Sequence, residues 1–183
     1  MRDVVVLVGS LRKASFNRKM AHALRDLAAG ALALEEVTIG DLPLYNEDLE
    51  ASVPEAWTRF RDRVRKADAV LFVTPEYNRS VPGVLKNAID VGSRPYGKSV
   101  FSRKPAAVVS VTGGMLGAFG ANHHLRQSLV FLDMPALQQP EMYIGGAAKL
   151  FDEQGRVITD DTRALLKKFV DAFTAWIERT RTA

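Results

Sequence analysis

Three short stretches of the chain hold residue types suited to a small anionic or aromatic ligand. The first is VGSLRKASFN, Val8 to Asn17. It offers hydroxyls at Ser10 and Ser15, a guanidinium at Arg12 and an amide at Asn17, after an aliphatic run and before a helical pattern. Ser15 stands where a helix N-cap would, and a helix start leaves backbone N–H groups free and partly positive. Together these groups suit a phosphate monoester. A capped helix beside a solvated arginine would read the same way. The common nucleotide loops fit less well. The second glycine and the lysine of G-x-x-x-x-G-K-[ST] are missing, and Leu11 and Ala14 take the later glycine positions of G-x-G-x-x-G.

The second stretch is TPEYNRSVPGVLKNAID, Thr74 to Asp90. Pro75 stiffens the chain as it leaves a strand. Tyr77 is an aromatic on which a planar ligand can stack. The backbone of Glu76, Tyr77 and Asn78 can meet the polar edge of a heterocycle. The third is SVTGGMLGAFGANHHLR, Ser110 to Arg126, whose glycines, Gly113 and Gly114 foremost, allow close approach of a flat ring. An ordinary polar turn and a glycine-rich helix start are the plainer readings of these two. Taken together, the stretches describe a phosphate at one end of a slot and a flat heteroaromatic group at the other. Flavin mononucleotide (FMN) has that shape.

Other chemistries find little support. The chain has no cysteine, so disulfides, thiol nucleophiles and thiolate metal sites are excluded. Its histidines are His22, His123 and His124, the last two adjacent and so pointing apart on a helix. No metal site is expected, and no serine sits in a G-x-S-x-G elbow. The formal charge of +4 is spread along the chain and does not argue for nucleic acid. No apolar run approaches the roughly 20 residues a membrane span needs. The N-terminus lacks a signal-peptide pattern, so the expected location is the cytoplasm.

The elements that must position these loops alternate. The pattern predicts strands at 3–9, 32–39, 68–74 and 105–112, and a weaker fifth at Pro135–Pro140. Helices are predicted at 16–30, 54–67, 81–91, 120–133 and 160–180, with 41–50 a loop. Alternation of this kind means parallel strands with right-handed crossovers. The 183 residues are expected to form one domain, 1–183. Its expected fold is an α/β flavodoxin-like three-layer sandwich, a five-stranded parallel sheet in order 2-1-3-4-5 with helices on both faces. In that order the chain reverses between strands 1 and 3, and ligands bind beyond the carboxyl ends of the strands there. The three stretches are the loops after strands 1, 3 and 4.

GSLRKASFN, PLYNEDLE, TPEYNRSVPGVLKNAID and HHLRQSLVFLD resemble the NADPH-dependent FMN reductases, in particular their bacterial chromate and quinone reductase branch. The similarity runs in order from about Val4 to Met142. The resemblance implies that Ser10, Arg12, Ser15, Phe16 and Asn17 hold the FMN phosphate. It implies that Pro75, Glu76, Tyr77 and Asn78 line the isoalloxazine, and that Ser110 with the turn after it, Thr112, Gly113 and Gly114, closes the site. Two positions depart from the pattern: Val91 follows KNAID where tryptophan is frequent, and Gly117 to Gly120 replaces a Gly-Gly followed shortly by arginine.

The function so implied is NAD(P)H-dependent reduction of quinones and similar acceptors, among them chromate, azo compounds and free flavin. NADPH or NADH is the co-substrate and FMN the bound cofactor. No side chain is assigned as catalytic acid or base, because flavin N5 carries the hydride. An FMN-binding electron carrier or redox sensor without NADPH turnover is the alternative. Relatives of this kind are homodimers or homotetramers, with helices 81–91 and 120–133 expected at the contact. Arg79, Arg94, Lys98, Arg103 and Lys104 are the cations available to a co-substrate phosphate, though a solvated surface suits most of them.

Overall fold

A computed structural model of the chain describes residues 1–181. Its elements run β1 (Arg2–Val8), α1 (Phe16–Ala28), β2 (Leu32–Glu36), α2 (Glu55–Lys66), β3 (Ala69–Thr74), α3 (Gly83–Ser93), β4 (Ala106–Val111), α4 (Phe119–Phe131), β5 (Met142–Ile144) and α5 (Asp160–Arg181). The five strands are parallel, in the order β2-β1-β3-β4-β5. This is the flavodoxin-like arrangement that the alternating pattern predicts.

The central strands are buried on both faces, which is why they read as unbroken aliphatic runs. Successive side chains of a strand point to opposite faces. Val4, Val6 and Val8 therefore join the core beneath α1 and α5, with Met20, Leu24 and Phe173. Val5 and Leu7 join the core beneath α2, α3 and α4, with Trp57, Phe60 and Leu125.

The fifth strand lies at Met142–Ile144, not at Pro135–Pro140. Around Ala136 the chain makes only an isolated bridge, in which Ala106 N–H donates to the Pro135 carbonyl and Leu137 N–H to that of Ala106. Prolines at 135 and 140 cannot donate, so a ladder cannot extend through them. Pairing resumes where Met142, Tyr143 and Ile144 meet Val109, Ser110 and Val111. Helix ends shift for local reasons. The carbonyl of Pro82 accepts from Leu85 and Lys86, so α3 starts at Gly83. Asp133, at φ 55°, lies beyond the end of α4 at Phe131. The predicted loop 41–50 contains a 3₁₀ turn at Glu47–Ala51, opened by the Asn46 side chain. Among the described residues no helix is long and apolar enough to cross a membrane.

Candidate active site

The loop after β1 leaves the sheet at Gly9, whose N–H donates to the Val73 carbonyl at 2.9 Å. A β-carbon at Gly9 would lie 3.2 Å from side-chain atoms of Leu85, Pro75 and Thr74, so β1, β3 and α3 pack closely around it. Ser15 caps α1: its Oγ accepts from Arg18 N–H at 3.3 Å and its carbonyl from Lys19 N–H at 3.0 Å. The N–H groups of Phe16 and Asn17 are left over at the helix start. Ser10, Ser15 and Asn17 are buried, whereas Arg12 is exposed. The Arg12 guanidinium makes no ion pair or hydrogen bond to any described residue, while the neighbouring Arg18 is paired with Glu36. Asn17 donates from Nδ2 to the Val111 carbonyl at 3.2 Å, and its buried Oδ1 has no partner.

The loop after β3 closes on itself. Tyr77 N–H donates to the Ser80 carbonyl and Ser80 N–H to that of Tyr77, with Asn78 and Arg79 between them at φ 51° and 61°. Both lie in the left-handed region, as a two-residue type I′ turn demands. The Tyr77 ring is half exposed at the tip. Glu76 turns away from it: its carboxylate accepts from Ala121 N–H and from Arg79, each at 3.0 Å. His124 and Ser80 make a second tie between α4 and this loop, Nδ1 to Oγ at 2.9 Å.

The loop after β4 is anchored beneath and open above. Ser110 is fully buried, with its hydroxyl 2.7 Å from the Gly117 carbonyl and 3.1 Å from that of Met142, and it accepts from the Asn122 amide. Its hydroxyl is spent on these partners and holds the turn in shape. Gly117, at φ 58°, sits where a β-carbon would come within 2.5 Å of the Tyr143 backbone. Gly113 and Gly114 have a positive φ in neither case, and a β-carbon at Gly113 would meet nothing within 4 Å. Thr112 Oγ1 accepts from Gly114 N–H at 3.4 Å. Past these glycines Met115 and Leu116 face solvent.

A cleft of about 380 Å³ lies where the first two loops meet, lined by Gly9, Leu11, Arg12, Tyr77 and Pro82 to Val84. Larger hollows exist, one of about 520 Å³ between α1 and residues 153–157, but they lie on the flanks of the sandwich. Topology selects the smaller cleft, because it opens at the crevice between β1 and β3. Leu11 and Pro82 to Val84 are wall residues that a search for polar chemistry passes over. Their signal is position, within the same quoted stretches. Lys104, in contrast, lies at the opposite edge of the sheet, donating to the carbonyls of Arg65 and Ala67. Among the described residues no group of three or more His, Asp or Glu side chains is placed to hold a metal ion.

The opening fits FMN by its donor set. Free N–H groups at a helix start and an unpaired guanidinium suit a phosphate, and the orphaned Asn17 Oδ1 wants a donor such as a ribityl hydroxyl. Glycines without steric neighbours leave room for a ring.

Comparison with known proteins agrees. The family model described as NADPH-dependent FMN reductase matches residues 2–149. A quinone reductase of Pseudomonas putida is 65% identical over 180 residues, 98% of this chain and 96% of that protein. A 2-hydroxy-1,4-benzoquinone reductase of a Burkholderia species is 44% identical over 178 residues, 97% of each. The solved structure of FerB, a flavoenzyme NAD(P)H:(acceptor) oxidoreductase from Paracoccus denitrificans, superposes with a TM-score of 0.94 at 45% identity, covering 98% of this chain and 99% of that one.

Proposed function

This chain belongs to the NADPH-dependent FMN reductase family, and on that premise we propose that it is an FMN-dependent NAD(P)H oxidoreductase that reduces quinones. The observation that carries this reading is the cluster of unspent groups at the carboxyl ends of β1, β3 and β4: the Arg12 guanidinium, the α1 N–H groups, Asn17 Oδ1 and the open turn at Gly113 and Gly114. Residues 1–183 act as one FMN-binding domain in the cytoplasm.

The roles divide by loop. Ser10, Arg12, Ser15 and the N–H groups of Phe16 and Asn17 hold the phosphate. Asn17 also accepts from the ligand's polyol chain. Pro75, Glu76, Tyr77 and Asn78 flank the ring through their backbone, and Tyr77 offers its face to whichever substrate lies against it. Gly113 and Gly114 keep the other side clear, and Ser110 and Thr112 hold their turn in shape. FMN held there would supply the hydride chemistry between NAD(P)H and the acceptor. The chain contributes orientation and electrostatics, and names no acid or base of its own. NAD(P)H and the acceptor use the one site in turn.

Initial rates measured at several fixed acceptor concentrations test this. Parallel double-reciprocal lines are expected of a site that must release NAD(P)+ before the acceptor enters, and intersecting lines would contradict it. The protein works as a homodimer or homotetramer. Support comes from the groove of about 480 Å³ between α3 and α4 and from Phe131, 79% exposed on its wall. A monomer in sedimentation at micromolar concentration would overturn that part.

A further inference from the structure

We infer that Met115, Leu116 and Phe119 form an apolar shelf beside the flavin position, which receives the hydrocarbon part of the acceptor. The shelf favours quinones that carry a fused ring or an apolar substituent over small or anionic acceptors. The inference rests on the FMN site proposed above and names the acceptor class that suits it.

Position, rigidity and charge carry it. Met115 follows directly on Gly114, so its Cα stands about 3.8 Å from that of a glycine assigned to the ring. Met115, Leu116 and Phe119 are 97%, 62% and 52% exposed. Three large apolar groups bared within five residues make a patch, where a single one would need no explanation. The backbone beneath them is fastened. Thr112 N–H donates to the Ile144 carbonyl at 2.9 Å, and Gly146 N–H to that of Gly114 at 3.1 Å. A β-carbon at Gly145 would come within 2.6 Å of the Met115 carbonyl, so the loop lies pressed on the segment after β5. The Phe119 ring rests on His123 and Tyr143, with centroids 4.2 and 5.2 Å away. Those two are fixed in turn, His123 Nε2 lying 3.0 Å from the Tyr143 hydroxyl, which donates to Glu141 at 2.8 Å. A surface ordered in advance loses less entropy when a ligand docks on it.

Charge selects the occupant. From Val111 to Asn122 the sequence has no charged residue, and the charge that the shelf's support brings with it is the Glu141 carboxylate, of the same sign as chromate. An uncharged, partly apolar acceptor fits such a wall. A second copy of this chain has its own place in the groove between α3 and α4, which His124 lines, whereas the adjacent His123 faces the shelf.

The flavin-loaded full chain tests this at saturating NADPH, with kcat/KM measured per bound FMN for 2-methyl-1,4-naphthoquinone, 1,4-benzoquinone and chromate. The changes are at exposed side chains, which the fold tolerates. In the double variant Met115→Ser with Leu116→Ser, the ratio of naphthoquinone to benzoquinone is expected to fall at least about fivefold. Leu116→Lys is expected to lower that ratio too, and to raise the ratio of chromate to benzoquinone at least about threefold by attracting the anion. Ratios within about twofold of the parent chain in both variants would overturn the shelf. So would variants that keep the parent's ratios but lose its assembly in sedimentation, since the patch would then be covered by a second copy. A parent chain that takes up no FMN, or whose FMN reduces neither quinone, would instead overturn the proposed function.

Discussion

The two edges of the sheet treat their polar groups in opposite ways. At the amino edge charges are met: Arg63 bridges Asp3 and Glu35, Arg2 pairs with Glu178, and Lys104 reaches two carbonyls. The flank between α2 and α3 goes further, with Arg61 buried, held bidentate by Glu50, donating to the Val91 carbonyl and lying over Trp57. At the carboxyl edge, Arg12 has no partner among the described residues, Asn17 Oδ1 is orphaned, and the α1 start keeps its donors. Folding alone would favour closing those groups, as it does elsewhere. Leaving them open is the mark of a ligand that closes them.

That contrast predicts where substitutions register. The largest effect belongs to the closed flank. Arg61→Ala strands the Glu50 carboxylate, which is 17% exposed, and should lower stability by about 3–5 kcal/mol in urea unfolding. Its surviving folded fraction should bind FMN normally. Arg12→Ala reverses the pattern: FMN affinity should fall at least about tenfold, with unfolding of the flavin-free chain unchanged within about 0.5 kcal/mol. Ser15→Ala sits on the boundary, since capping and ligand contact coincide there. It should cost about 1 kcal/mol of stability and weaken FMN binding too.

The smallest effect is a pH dependence at the amino edge. The hydrogen bond from Arg63 holds the Glu35 carboxyl below its ordinary value of 4.5. A depressed carboxyl stabilises the fold above that value, and the contribution is lost as pH falls through the folded value. Glu35 is 61% exposed, so the loss should stay under about 1 kcal/mol. Glu35→Gln should flatten the acid limb of the stability profile by that much and leave FMN affinity unchanged at neutral pH.

How much of this is legible in the sequence follows from the range of the interactions. The aliphatic runs of β1, β3 and β4 and the polar loop after each are local features, and both the sheet order and the three loops are readable from them. Ser15 as a cap is legible for the same reason. The fifth strand is not. Its three residues pair with β4 across a long connection, and PALQQP carries apolar residues between two prolines that cannot donate to a ladder. Ser110 and Glu76 look like ligand contacts by type and position. Only the fold reveals that Ser110 is spent on Gly117 and Met142, and that Glu76 reaches 45 residues along the chain to Ala121.

The claim that the open groups at the carboxyl edge serve a reducible flavin is tested most directly by the visible spectrum of the purified chain, recorded before and after anaerobic NADPH. A yellow protein carrying one FMN per chain, bleached by NADPH and recoloured by a quinone, is the predicted result. A colourless chain that cannot be loaded with FMN, or a yellow one that NADPH leaves unchanged, would contradict it.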